Sequence, residues 1–258
     1  MRTLVIVQAR MGSSRLPAKV IADLAGAPML ERVIQRALLA RTVDQLIVAT
    51  SEQQRNDVVA QLSSKLGIEC FRGSEDDVLD RYYRAAKHFG ATAVVRLTAD
   101  CPLIDPAVID KVARVFLAGD YDYVSNTLEV TYPDGLDTEV FSMEALEAAW
   151  SQARLRSERE HVTPYICKRP DLFRLANVKH DADLSHLRWT VDEEKDLAFV
   201  RAIYGHLGSQ AAFDMNDILR LLSLHPELGD INAGFTRNEG YLRSIREDSL
   251  APSSEKAK

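Results

Sequence analysis

Over its first half the chain alternates short apolar runs with stretches of helical periodicity. Leu4 to Val7, Gln45 to Thr50 (QLIVAT), Ile68 to Phe71 and Thr92 to Leu97 each have the length and density of a buried strand. Between them, Leu30, Val33, Ile34, Ala37 and Leu38 recur at i, i+3, i+4, i+7 and i+8, one face of a helix. Val58, Val59, Leu62 and Leu66 repeat the pattern and stop at Gly67. Val78, Leu79, Tyr82, Tyr83 and Ala86 repeat it again after Ser74 and Asp77, which are spaced as a capping box. Strands separated by helices at this interval predict an α/β fold, a mostly parallel sheet with helices on both faces.

Asp105, just before Pro106, reads as the N-cap of a helix bearing Val108, Ile109, Val112, Val115 and Phe116. From Tyr121 the pattern changes. YDYVSNTL and LDTEVFS read as extended segments joined through the turn TYPDG, and a helix with Met143, Leu146 and Trp150 follows. Phe173 to Val178 and Leu187 to Val191 read as strands; the second runs into a helix with Leu197, Val200, Ile203, Tyr204 and Leu207, and a last helix carries Ile218, Leu221 and Leu222. The expected organisation is one domain over residues 1–247, with 121–170 as a small extended and helical excursion and 248–258 as a disordered tail.

At 258 residues, 46% hydrophobic and 27% charged, the chain is long enough to bury a sizeable core. The formal net charge of −6 argues against a nucleic-acid partner, whereas a local basic loop in an acidic protein suits a small anion. Cys70, Cys101 and Cys167 are far apart, odd in number and without CxxC spacing, so neither a disulfide framework nor a zinc site is indicated, and a reduced cytoplasmic setting is expected. No apolar stretch approaches the roughly 18 residues needed to span a bilayer, and no membrane partner is expected.

The first strand opens into QARMGSSRLPAK, residues Gln8 to Lys19. Small residues let backbone N–H groups approach an oxyanion, while Arg10, Arg15 and Lys19 supply charge. This is the composition of a phosphate cradle, and equally of a polar surface loop with three solvated cations. It is neither GxxxxGK[ST] nor GxGxxG. Arg72, Gly73 and Ser74 leave the third strand, where Ser74 reads either as a cap or as a contact to a nucleoside. Asp100 ends the fourth strand at the carboxyl edge of the sheet, where it reads as a Mg²⁺ ligand or as a turn former. Asp192 reads as an N-cap or as a second ligand on the same edge. Alternation in LDTEVF puts Asp137 and Glu139 on one face, near Asn126, as an acceptor-binding set or a solvated hairpin face. His161 lies among charges, and no Ser/His/Asp spacing makes a nucleophile triad.

The loop resembles the N-terminal signature of the cytidylyltransferases that activate acidic sugars, the KDO and acylneuraminate enzymes. ARMGSSRLPAKV followed by GAPMLERVIQR looks nearer still to the spore-coat polysaccharide biosynthesis protein F group. RGSEDDVLDRYYRAA, VVRLTADCPLIDP, GLDTEVFS, EREHVTPYI and WTVDEEKDL continue the likeness in family order to the helix after Asp192. The resemblance implies a Rossmann-like sheet of the nucleotide-diphospho-sugar transferase type. It implies that Ala9, Met11, Gly12, Ser13 and Asp100 belong to the nucleotide site, that Arg10, Arg15 and Lys19 bind the CTP phosphates, that Arg72 and Ser74 lie near the nucleoside, and that Asp100 and Asp192 hold Mg²⁺. Asn126, Asp137, Glu139 and His161 would face the acceptor. GLDTEVFS and EREHVTPYI match neither the KDO nor the sialic acid enzymes, so the acceptor stays open.

The implied reaction is attack by an acceptor oxygen on the α-phosphorus of CTP, with Arg10, Arg15, Lys19 and Asp100 carrying catalysis. A glycosyltransferase of similar topology would show a DxD motif where this chain has TADCP. A regulatory nucleotide-binding protein would not need two metal carboxylates. A homodimer through 121–170 is also expected.

Overall fold

The computed structural model describes residues 2–208, 213–235, 237 and 239–248. A single seven-stranded sheet runs in the order β3-β2-β1-β4-β6-β5-β7. The strands are β1 Thr3–Gln8, β2 Gln45–Ser51, β3 Glu69–Gly73, β4 Ala93–Thr98, β5 Tyr123–Ser125, β6 Glu139–Ser142 and β7 Leu175–Asn177. Every pairing is parallel except those of β6, which lies antiparallel to both β4 and β5. The expected mostly parallel α/β sheet is thus the observed one. The segment 121–170 is less of an excursion than its change of pattern suggested, because β5 and β6 belong to the main sheet.

Helices α1 Met29–Ala37, α2 Asp57–Lys65, α3 Val78–His88, α4 Pro106–Ala118 and α5 Met143–Gln152 follow or connect these strands. The two faces can be read residue by residue along β1. Val5 and Val7 pack with Val33 and Ile34 of α1 and with Ile109 and Val112 of α4. Leu4 and Ile6 point the other way, to Leu79 and Tyr82 of α3 and Leu146 of α5. Burial on both faces explains why the strand is a continuous apolar run with no polar alternation. The Asp105 cap is as expected, whereas the cap of α3 lies three residues beyond Ser74. Asp105 Oδ1 accepts from the backbone of Ala107 at 2.7 Å. At α3 the cap is Asp77, accepting from Asp80 N, and Ser74 Oγ accepts from Asp77 N one turn earlier.

The remaining helices are α6 Arg156–His161, α7 Pro164–Cys167, α8 Glu194–Leu207, α9 Met215–Leu224 and α10 Glu239–Arg246. Two expectations are corrected here. Leu187 to Val191 forms no named strand and makes only an isolated bridge between Arg188 and Asp134. Its apolar residues are buried for another reason, since Trp189 and Val191 pack against Leu197, Val200 and Tyr204 of α8. The helix carrying Ile218 is not the last, because the chain beyond it forms α10, which packs on α6. Asp248, assigned to the disordered tail, accepts from Ser157 N and Oγ at 2.8 Å each, and residues 249–258 lie outside the described residues. Among the described residues no helix is long and apolar enough to cross a membrane.

A polar knot fixes the 126–138 loop to the chain before α8. Arg188 bonds Asp196 and Asp134, and Asn232 caps the same group by donating to Arg188 O and Asp196 Oδ1. Gly135 lies in the middle of this contact with φ +110°, and a Cβ there would fall 2.6 Å from Thr190 N and from the carbonyl carbon of Trp189. Backbone cannot yield as a flexible side chain can, and the left-handed φ adds strain for any other residue. Gly135→Ala is therefore expected to destabilise the protein by about 2 kcal/mol or more. Urea denaturation reads this as a lowered midpoint, and an unchanged midpoint would contradict the packing described.

Candidate active site

Because β1, β2, β3 and β4 are parallel, their carboxyl ends share one edge, and the loops leaving them converge there. A cavity of about 620 Å³ opens at this edge between the Gln8–Lys19 loop, the end of β4, the chain before α8, and α6 with α10. The loop is pinned locally. Met11 N donates to Asn56 Oδ1 at 2.8 Å, Ala18 N to Met11 O at 3.2 Å, and Leu16 N to Ser13 Oγ at 3.3 Å. Ala18 takes a left-handed φ of 60° before the short 3₁₀ turn Lys19–Ile21.

Lys19 is 8% exposed. Its Nζ donates to Asp100 Oδ2 at 2.9 Å, to Asp192 Oδ1 at 2.8 Å and to Val191 O at 2.8 Å. All three donors of the ammonium are used. Burial would push the Asp100 carboxyl up, but the Lys19 charge and the Thr98 hydroxyl outweigh it and hold it down to about 2. Burial likewise works against the charged Lys19, and the two carboxylates more than reverse this, raising it. Lys19 and Asp100 are therefore a charged pair at neutral pH, with Asp192 accepting from the same ammonium.

Asp192 is available to this ammonium because it is not the cap of α8. Asp196 Oδ2 accepts from the backbone N–H of both Asp192 and Glu193 at 2.9 Å, which leaves the Asp192 carboxylate to side chains. Arg15 approaches it at 2.9 Å and Arg188 at 3.4 Å. Arg15 also reaches Glu239 of α10 at 3.2 Å. Arg10 is held more loosely, 4.0 Å from Glu75 and 3.9 Å from Glu160, and so is disposed toward an added anion. Asp100 and Asp192 converge on one cation position, now filled by an ammonium, and both are hard oxygen donors. This donor set fits a Mg²⁺ that draws its remaining ligands from phosphate and water. Among the described residues no group of three or more His, Cys, Asp or Glu side chains forms a cage for a metal.

Of the residues singled out in the sequence, Arg10, Gly12, Ser13, Arg15, Lys19, Asp100, Asp137, His161 and Asp192 line this one cavity. Others are engaged in the fold. Ala9 N extends the β1 pairing by donating to Ala49 O. Arg72 pairs with Asp57 at 2.7 Å and donates to Ser51 O and Gln53 O. Asn126 clamps its own loop through Leu136 O and Thr138 N. Glu139 is buried in contact with Arg96, Tyr123 Oη and Thr163 Oγ1. Its face of the strand is interior, and Asp137, outside β6, pairs instead with Arg237.

The cavity wall has more residues than the sequence revealed. Asp134, read only as part of a turn, lies on its wall, as do Arg156, Tyr241, Arg243 and Ser244. His161 Nε2 is 3.0 Å from Ser244 Oγ, and its ring meets Tyr241 edge-on at 4.9 Å. Burial pushes the imidazole down to about 4 against the pull of Glu160, so it is neutral at ordinary pH. Burial raises the Asp137 carboxyl to about 7 against the pull of Arg237. The only signal for α10 was a weak apolar spacing of Tyr241, Leu242 and Ile245 in a short charged stretch.

Comparison with known proteins agrees with this architecture. Residues 4–212 match the family model described as cytidylyltransferase. An uncharacterized protein of Methanocaldococcus jannaschii is 36% identical over 249 residues, 96% of this chain and 100% of that protein. The spore coat polysaccharide biosynthesis protein SpsF of Bacillus subtilis is 32% identical over 233 residues, 87% of this chain and 95% of that protein. A solved cytidylyltransferase from Leptospira borgpetersenii superposes with a TM-score of 0.87 at 29% identity, covering 92% of this chain and 100% of that one. The sheet is thus of the nucleotide-diphospho-sugar transferase type, its loops carry the expected charged groups, and the chain belongs to the cytidylyltransferase family.

Proposed function

We propose that the protein transfers CMP from CTP to an oxygen of an acidic sugar or related small molecule used in cell-surface polysaccharide synthesis, releasing pyrophosphate. The observation that carries this reading is the buried Lys19 between Asp100 and Asp192, with Arg15 and Arg10 above it at the carboxyl edge of the sheet. Such a centre is built for charge that moves along a triphosphate. Arg10, Arg15 and Lys19 would bind the phosphates and stabilise the leaving pyrophosphate, while Gly12 and Ser13 let the backbone come close. Asp100 and Asp192 would hold Mg²⁺, which when bound neutralises phosphate charge and increases the acidity of the acceptor hydroxyl. The neutral His161, Ser244 and Asp137 offer hydrogen bonds to acceptor hydroxyls. Holding acceptor and nucleotide together contributes much of the acceleration in reactions of this kind.

Pyrophosphate release, measured with Mg²⁺, each of the four nucleoside triphosphates and a panel of acidic sugars, other sugars and small phosphonates, is expected to require CTP and one acceptor. No turnover with any pair would favour a nucleotide-sugar transferase or a binding protein. Asp100→Ala and Asp192→Ala should each lower turnover about 100-fold or more with the circular dichroism spectrum unchanged. Retained activity in both would remove the metal assignment.

Pairing of two copies through 121–170, where Leu128 and Leu155 are exposed, is part of the same proposal. Sedimentation at the monomer mass would remove it.

A further inference from the structure

The charges around Lys19 bear on the order in which the site fills, an inference that rests on the metal reading above. In this structure the two carboxylates already share a cation. Lys19 has no donor left over, with Asp100, Asp192 and Val191 O all within 2.9 Å of Nζ. Arg15 at 2.9 Å and Arg188 at 3.4 Å add positive charge to Asp192. A divalent ion entering this arrangement meets the Lys19 ammonium and finds the facing carboxylate oxygens occupied, while Arg15 and Arg188 are themselves balanced by Glu193, Glu239, Asp134 and Asp196. It gains ligands only if Nζ leaves, and a buried ammonium cannot leave without another anion to receive it. The Gln8–Lys19 loop supplies the place for one, since Arg10, Arg15 and Lys19 line the same cavity.

We propose that Lys19 is the resident cation of the Asp100–Asp192 pair, and that a divalent metal takes this position only when a triphosphate draws the ammonium and Arg15 to itself. Lys19 then has two successive partners, and the exchange couples the two ligands. Nucleotide raises metal affinity and, by linkage, metal raises nucleotide affinity by the same factor. The lysine thereby guards against unproductive metal binding and keeps the carboxylates from repelling one another while the site waits.

The test needs no turnover. Mn²⁺ binding to the full-length protein is followed by the loss of its free-ion electron paramagnetic resonance signal, with no nucleotide present. Lys19→Met removes the charge while keeping the length of the side chain, and should bind Mn²⁺ roughly 5- to 150-fold more tightly than wild type, the usual span of coupling between sites. Lys19→Arg keeps the cation and should bind as weakly as wild type. Lys19→Met combined with Asp192→Ala should lose the gain. In wild type, a CTP analogue with a methylene bridge between the α- and β-phosphorus should raise Mn²⁺ binding beyond that of the analogue alone. If wild type without nucleotide binds Mn²⁺ as tightly as Lys19→Met, the inference is overturned while the metal assignment stands. If neither Lys19→Met nor the analogue complex gains Mn²⁺, both are overturned.

Discussion

The buried ammonium of Lys19 is the constraint on which the rest of this site depends. It joins three parts of the chain that are remote in sequence: the loop after β1, the end of β4 at Asp100, and the turn into α8 at Val191 and Asp192. A charge in that position is tolerable only with its counterions in place, and carboxylates so close together are tolerable only with a cation between them. The sheet meets this demand by ending β1 and β4 side by side, and the fixed register Gln8↔Thr98 brings their loops to the same edge.

Around this centre the fold divides the labour. The half built from β1 to β4 and their helices holds Leu4 to Val7 fully buried, and it carries the Gln8–Lys19 loop. The later half closes the cavity with α6, α10 and the 126–138 loop, and its polar ties land on site residues: Arg237 on Asp137, Glu239 on Arg15 and Ser244 on His161. The matched family model ends at residue 212, so α10, which lines the cavity, lies outside it.

Legibility in the sequence follows the same division. Periodicity located β1 to β4 and the helices between them because both faces of a parallel sheet are buried, and a run such as LVIV has little else to become. The convergence of Arg10, Arg15, Lys19 and Asp100 on one cavity was legible because they lie in the loops that leave β1 and β4, whereas Asp192 joins them from a segment that is not the strand expected. Spacing was less informative where a side chain serves the fold. Asn126 and Glu139 have the chemistry of ligand contacts, but a clamp on Leu136 O and a buried pair with Arg96 use the same atoms. Leu187 to Val191 looked like a strand because burial against α8 leaves the same apolar pattern as burial in a sheet. Helix α10 was hidden because it is only eight residues long and mostly polar, with Leu242 and Ile245 exposed, so no apolar run marked it.

The central claim is that the cation and carboxylate centre receives the triphosphate of CTP. A crystal structure of the protein with the methylene-bridged CTP analogue and Mn²⁺ tests it most directly. The account predicts phosphates against Arg10, Arg15 and Lys19, with an anomalous manganese peak on Asp100 and Asp192. Nucleotide bound away from the Gln8–Lys19 loop, or manganese held by other carboxylates, would contradict it.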